Sequence, residues 1–411
     1  MKKIYRIPLL QVKIIHALQD NPLASYEEIA KKVKIPLTTL YRKIRSLEEK
    51  KIIRNTLSSK IAEKIGLTRY TFEFKIKSLE QFQLMQLAFH EHPFTYHYNR
   101  FYGNQFGFYA KFDIPEGGIK YFELFLKELI NREMCESYNL YASTGHWVDI
   151  QEPIPNTKLN PKSFNLVEFW GKRQEMKETN GEKIEKIDIK KLHPIQLLIL
   201  RDINRNAKQK QKDLLELYKK ALENEKVNSE ETKIIPEAYK SFIEEFFEGR
   251  SHEAIMMDFN RKYKFVFENL VTNFRINFSR NYFEIYPMQA YVIKDISSEE
   301  SFQTLNLFKK YRPPFRAGID ILNRGLFIAV TLPPFYASRF SYLIYSSYSD
   351  FKFYNMDFFG EHGVAYPFYV NNFDPIKNEW KTDKKWIVDD VFSRIDGKLN
   401  NGNYGENNNH H

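Results

Sequence analysis

The 411-residue chain has a single cysteine, Cys135, which excludes an internal disulfide framework and any multi-cysteine zinc site. No apolar run approaches the ~18 residues that a membrane span needs, and the mean hydropathy is −0.53. Met1-Lys2-Lys3 opens a short mixed segment without the apolar core or small-residue cleavage site of a secretory leader. The expectation is a cytoplasmic protein with no membrane partner. Glycine is scarce, at 16 residues, and none builds a phosphate-cradling loop or a Gly-x-Ser-x-Gly turn; a His-Glu-x-x-His pair is missing too. On these grounds no catalytic residue, cofactor or metal is assigned, and the chain is read as not an enzyme. His90, His92 and His97, around Glu91, come nearest to a metal cluster. His90 and His92 flank a helix end, which fits solvated histidines better than converging ligands.

What the chain has is positive charge and aromatic rings. Lys plus Arg is 62 against 52 for Asp plus Glu, a net charge of +10, which favours a polyanionic partner. Aromatics make up 16% of the residues. Rings of this kind stack on bases or pack strands; most here lie in alternating runs, which favours packing.

The first sixty residues carry the clearest pattern. Val12, Ile14, Ile15 and Leu18 have helical spacing, and Asn21-Pro22 breaks that helix. Ser25-Tyr26-Glu27-Glu28 matches a capping box and starts a short second helix with Ile29 and Val33 inward. After Lys34-Ile35-Pro36, a third helix is predicted from about Leu37 to Lys50, with Leu40, Ile44 and Leu47 on one face. Ile52 to Leu57 reads as a wing strand. A recognition helix needs an apolar face to hold it, polar groups in its leading turns for base edges, and cations for phosphates. Thr38, Thr39 and Arg42 project from the early turns, flanked by Tyr41, Lys43 and Arg45; Lys31, Lys32, Lys34 and Arg54 can neutralise phosphates. Double-stranded DNA is the expected partner.

From Arg69 onward the period changes. Strand, helix, strand pair, helix and strand follow through Ile150, the βαββαβ order of a ferredoxin-like unit. The plan then recurs. Val12, Ile14, Ile15, Leu18 and Asn21 align with Leu197, Ile199, Leu200, Ile203 and Asn206, and Gly107 to Pro115 aligns with Gly325 to Pro333. The predicted class is α+β: two tandem copies of a winged helix-turn-helix plus a ferredoxin-like domain. The expected boundaries are a winged helix over 1–60, a ferredoxin-like domain over 65–152 and a linker over 153–190. A degenerate winged helix over 191–285 follows, with an insertion at about 223–255, then a second ferredoxin-like domain over 287–375 and a tail over 376–411 with a disordered end. The third helix of the second unit is placed at Asn260 to Val271, aligning Leu40, Ile44 and Leu47 with Tyr263, Phe267 and Leu270. The insertion is acidic, with Glu223, Glu225, Glu230, Glu231, Glu237, Glu244, Glu245 and Glu248 in or beside it, so this copy is expected to scaffold rather than read DNA. The two sheets are expected to pair within the chain as a pseudo-dimer, or between chains as a homodimer.

The segments Val12 to Gln19, Ser25 to Val33 and Thr38 to Glu49 resemble the Lrp/AsnC, or leucine-responsive, transcription regulators over about fifty residues. The resemblance implies a sequence-specific DNA-binding transcription regulator in which Thr38, Thr39, Arg42 and Arg45 are the leading DNA contacts, and a small-molecule effector of unknown identity. The chain departs from that pattern at Pro36-Leu37, at Lys51 before the wing, and at Gly103-Asn104-Gln105, where the family carries a Gly-and-Asp turn. Two alternatives share the domain plan. Siroheme decarboxylases resemble it and use histidines near the second strand, where His97 and Arg100 lie; the repeat partner of His97 is Gly318. A protein-binding adaptor without DNA binding is the other.

Overall fold

A computed structural model describes residues 7–103, 105–150, 164–176, 185–222, 235–279, 288–356, 364–365 and 370–401. The N-terminal head is three helices, α1 (Leu9–Asp20), α2 (Tyr26–Val33) and α3 (Leu37–Glu49). The capping box forms: Ser25 Oγ accepts from the Glu28 amide at 3.2 Å, and the Glu28 carboxylate accepts from the Ser25 amide at 2.7 Å. Two donors that the helix cannot satisfy internally are thereby paired. Lys34 takes a left-handed conformation, φ 61°, and turns the chain into α3. Ile14, Ile15, Leu18, Ile29, Leu40, Ile44 and Leu47 form the small core of this head.

The wing strand β1 (Ile53–Lys60) leads into the first βαββαβ unit: β2 (Leu67–Lys75), α4 (Leu79–Glu91), β3 (Thr95–Gly103), β4 (Gly107–Pro115), α5 (Ile119–Asn131) and β5 (Ser137–Ile150). A short helix, α6 (Leu166–Gly171), follows. The second helical group is α7 (Pro194–Arg205), α8 (Gln211–Leu222), α9 (Glu237–Phe247) and α10 (His252–Asn269), ending in strand β6 (Val271–Phe278). The second βαββαβ unit is β7 (Met288–Lys294), α11 (Ser298–Tyr311), β8 (Arg316–Leu322), β9 (Gly325–Thr331), α12 (Pro334–Ser347) and β10 (Phe351–Met356). The chain closes with β11 (Val364–Ala365), β12 (Phe373–Asp374), β13 (Glu379–Trp380) and α13 (Asp390–Asn400).

The two units build one barrel. Within each, the strands pair in the same pattern, and β5 pairs with β8 while β10 pairs with β3. Eight antiparallel strands thus form a closed ring, which removes the open edges that each four-stranded sheet would present alone. Gly107 and Gly325 open β4 and β9 at matching turns. A Cβ there would meet the Phe74 carbonyl oxygen at 1.9 Å and the Ile293 carbonyl oxygen at 2.1 Å, so only glycine lets the neighbouring strands approach. Helices cover the outside. Phe72, Phe74, Phe89, Phe112, Phe122 and Phe125 pack the first unit, and the α7 to α10 group shares that core. Trp170, Phe308, Phe315 and Phe340 pack the second. β1 and β6 pair with each other outside the barrel, from Ile53 opposite Phe278 to Lys60 opposite Val271.

Several boundaries differ from expectation. Helix α10 begins at His252 rather than Asn260, because Ser251 caps it by accepting from the Ala254 amide at 3.2 Å. The acidic insertion contains a helix of its own, α9, whose Tyr239, Ile243 and Phe246 are buried; Glu223, Glu225, Glu230 and Glu231 lie outside the described residues. Part of the expected linker docks, with Phe169 and Trp170 against the second sheet. The expected tail is folded as far as Asn400: Trp380 donates to the Ile65 carbonyl at 2.8 Å, and Arg394 on α13 pairs with Glu91 at 3.0 Å. Its last ten residues lie outside the described residues.

Candidate nucleic-acid interface and barrel pocket

The first candidate site is the outer face of α3. Leu40, Ile44 and Leu47 turn inward, which fixes the remaining positions outward. Thr38, Tyr41, Arg42 and Arg45 are exposed, and Thr39 and Lys43 are half-buried. Lys31, Lys32, Lys34 and Arg54 are exposed around them. Tyr41 rests edge-on against Tyr26 at 5.1 Å. Lys32 pairs with Asp20 at 2.8 Å and Arg45 with Glu49 at 2.9 Å, both at the surface, where such pairs are weak and open to exchange for a phosphate. Among the described residues Arg42, Lys43 and Arg54 form no ion pair.

The second candidate site was not predicted. A cavity of about 470 Å³ opens between the barrel mouth and the β1–β6 wing sheet. Leu57 and Ser59 from β1 and Arg275 to Phe278 from β6 form its roof; Arg69, Tyr96, His97, Asn99, Lys111, Trp147, Arg316 and Asp320 are among its walls. The alternation of β2 sends Phe72 and Phe74 to the helix-covered face and Arg69, Thr71 and Glu73 into the barrel. Buried Asp113 on β4 receives Arg69 through two bonds, 2.7 and 3.0 Å, and Lys60 of the wing at 2.6 Å. Burial pushes the Asp113 carboxyl up, and Arg69 and Lys60 more than reverse this, holding it below the usual carboxylate range.

Two cations on one carboxylate leave positive charge in excess, and Tyr96 faces it. The Arg69 guanidinium lies 3.9 Å from the Tyr96 ring centre and the Lys60 ammonium 4.7 Å. Burial alone raises the Tyr96 phenol; Arg69, Arg275 and Lys60 outweigh it, and the net shift is downward. His97 and Asn99 contact each other at 2.9 Å through Nε2 and Nδ2. Deeper in, Lys111 pairs with Asp320 at 3.1 Å, and Ser143 donates to Asp320 at 2.6 Å. Burial lowers the Lys111 ammonium, but Tyr109 and Asp320 carry it above its ordinary value. The pocket therefore suits an anionic ligand and offers a phenol of enhanced acidity beside it.

Of the histidines considered for a metal, His97 lines the pocket, His90 is exposed and His92 is buried. His92 stands in an aromatic cage with Phe125 at 4.4 Å and Phe112 and Phe122 at 5.2 Å, and burial lowers its pKa to about 3. Among the described residues no three His, Cys, Asp or Glu side chains gather as a metal ion requires, and no helix is long and apolar enough to cross a membrane.

The winged helix-turn-helix DNA-binding family matches residues 9–54. The head has the winged helix-turn-helix architecture. No curated protein matches the chain by sequence. Among solved structures, the siroheme decarboxylase NirDL aligns over 94% of this chain and 99% of its own, at 12% identity and a TM-score of 0.45. An AsnC family transcriptional regulator from Agrobacterium tumefaciens aligns over 33% of this chain and 90% of its own, at 21% identity and a TM-score of 0.29. LrpC of B. subtilis covers 34% and 94%, at 20% identity and a TM-score of 0.26. The regulator likeness thus extends over a third of the chain. The reading of the chain as not an enzyme is corrected by these matches: the structures that align along nearly its whole length are those of an enzyme. The pocket residues come from ten strands and form no local signature in the sequence.

Proposed function

We propose that this protein is a sequence-specific DNA-binding transcription regulator acting through α3, with the barrel pocket as the seat of an anionic small molecule. The observation that carries the reading is the outer face of α3. Thr38 and Arg42 are exposed in its leading turns, above a buried Leu40-Ile44-Leu47 stripe. Thr38 and Thr39 suit base edges and thymine methyls, Arg42 and Arg45 suit guanine or phosphate, and Lys31, Lys32, Lys34, Lys43 and Arg54 suit the backbone. The test is equilibrium binding to a selected duplex at several salt concentrations. Arg42→Ala with Arg45→Ala is expected to weaken binding at least tenfold and to lower the log–log salt slope by about 2. Unchanged binding removes α3 from the interface.

A second reading is favoured by the cationic pocket. A decarboxylase of the siroheme type needs carboxylates held in place and a proton to replace the departing carboxyl. The carbon–carbon bond breaks, its electron pair takes up a proton, and carbon dioxide leaves, with no net oxidation. Arg69, Lys111, Arg275 and Arg316 supply positive charge for the carboxylates, and Tyr96 and His97 stand at the pocket as proton donors. Titrating the full chain with an iron-uroporphyrin III analogue tests this. A visible-band shift that Arg275→Ala weakens supports it; an unshifted spectrum at saturating protein removes it.

A further inference from the structure

The geometry points to a single-headed reader: one chain docks one recognition helix in one major groove, on a site without an inverted repeat. This rests on the DNA-binding reading above and adds the stoichiometry and symmetry of the complex.

Regulators built from two identical subunits present two recognition helices and bind inverted repeats whose halves lie roughly 34 Å apart. Here the two-fold partner is already inside the chain. β1 and β6 pair antiparallel end to end, Ile53 opposite Phe278 and Lys60 opposite Val271, so the wing of the first head meets the wing of the second helical group. Below them the barrel ring is complete, each of its eight strands hydrogen-bonded to two neighbours. A second copy finds no open barrel edge on which to repeat that pairing. The place of a second head is therefore occupied by α7 to α10.

That second position is not built to read DNA. Between α2 and α3 the chain needs only Lys34, Ile35 and Pro36; between α8 and α10 stand residues 223–251, including α9. With Leu40, Ile44 and Leu47 set on Tyr263, Phe267 and Leu270, Arg42 falls on half-buried Phe265, Lys43 on buried Val266 and Arg45 on exposed Glu268. Thr38 and Thr39 fall on Arg261 and Lys262, and the two turns of α10 that precede this match carry Glu253, Met257 and Asp258. Its cations meet acids of the same helix: Arg261 and Lys262 pair with Asp258 at 2.8 and 3.4 Å, and Lys264 with Glu268 at 3.9 Å. Glu253, Asp258 and Glu268 match Arg261, Lys262 and Lys264 in number, so α10 carries no net charge to draw phosphate, whereas Arg42, Lys43 and Arg45 outnumber Glu48 and Glu49 on α3.

The experiment is selection of bound duplexes from a random library with the full chain, followed by native mass spectrometry and groove-resolved protection on the winning sequence. One chain per duplex, a motif confined to one major-groove face, and Arg261→Ala with Lys264→Ala binding within twofold of the parent chain are expected. An inverted repeat with half-sites about 10 base pairs apart and two chains per duplex overturns the inference. So does a loss of more than tenfold in the Arg261→Ala, Lys264→Ala variant. A chain that enriches no sequence and binds no duplex at any salt sinks the DNA-binding reading itself, and this inference with it.

Discussion

The two halves of the barrel share a topology and differ in what they line it with. On β2 and β4 the inward positions are Arg69, Thr71, Glu73, Tyr109, Lys111 and Asp113. At the same registers β7 and β9 supply Met288, Ala290, Val292, Phe327, Ala329 and Thr331. The first half thus builds a charged wall and the second an apolar one against which it rests: Tyr109 stacks on Phe327 at 4.6 Å. Where charge crosses the seam it is matched, as Lys352 of β10 reaches buried Glu73 at 2.6 Å. Asymmetry of this kind places the charged end of the pocket under the β1–β6 wing sheet.

Removing a charge from the polar wall and a hydroxyl from the apolar wall measures this difference. Asp113→Ala strands Lys60 and Arg69 in a buried site and is expected to cost about 3–5 kcal/mol. Thr331→Ala, its counterpart, is expected to cost about 1 kcal/mol. Denaturant midpoints check both, and equal losses would erase the distinction between the walls.

The next effect is pH-dependent and also belongs to the first half. His92 is held neutral by burial, at about 3 against an ordinary 6.5, while the unfolded chain protonates normally. The unfolded state therefore binds the extra proton, and stability is complete above 6.5 and falls as pH drops toward 3, by at most about 1.4 kcal/mol per pH unit from this group. His92→Phe is expected to flatten that part of the stability–pH curve; an unchanged slope there would clear His92 of the effect. The smallest effect lies in the head. Ser25→Ala removes one side of the capping box and is expected to cost about 1 kcal/mol, read as a lower melting temperature of the N-terminal domain.

Local signals were legible in the sequence and long-range ones were not. The capping box, the break at Pro36 and the Leu40-Ile44-Leu47 stripe read correctly because each depends on neighbours within one or two turns. The strand order of both units was readable from period-two alternation, and Gly107 and Gly325 stand at matching turns. The partner of the wing strand was not readable: Lys60 meets Val271, and nothing near either residue in sequence encodes that pairing. Helix α9 lies inside an acidic segment, and only its Tyr239-Ile243-Phe246 spacing marks a buried face. For the pocket, the local signal is ambiguous. Arg69, Thr71 and Glu73 alternate with Phe72 and Phe74, which in an open antiparallel sheet describes a solvent-facing side.

By itself the sequence determined the secondary elements, the apolar face of the head and the cations that surround it, since side-chain periodicity and capping act over a few residues. Tertiary structure alone decided that the polar faces of two sheets turn toward each other. Ring closure through β5–β8 and β10–β3 removes those faces from bulk water, so that Asp113, Lys60, Arg69 and Tyr96 must satisfy one another. Polar side chains that alternation marks as surface thereby become a buried, charged site, because a strand's hydrogen-bonding partners, which no local pattern specifies, fix what its outer face meets.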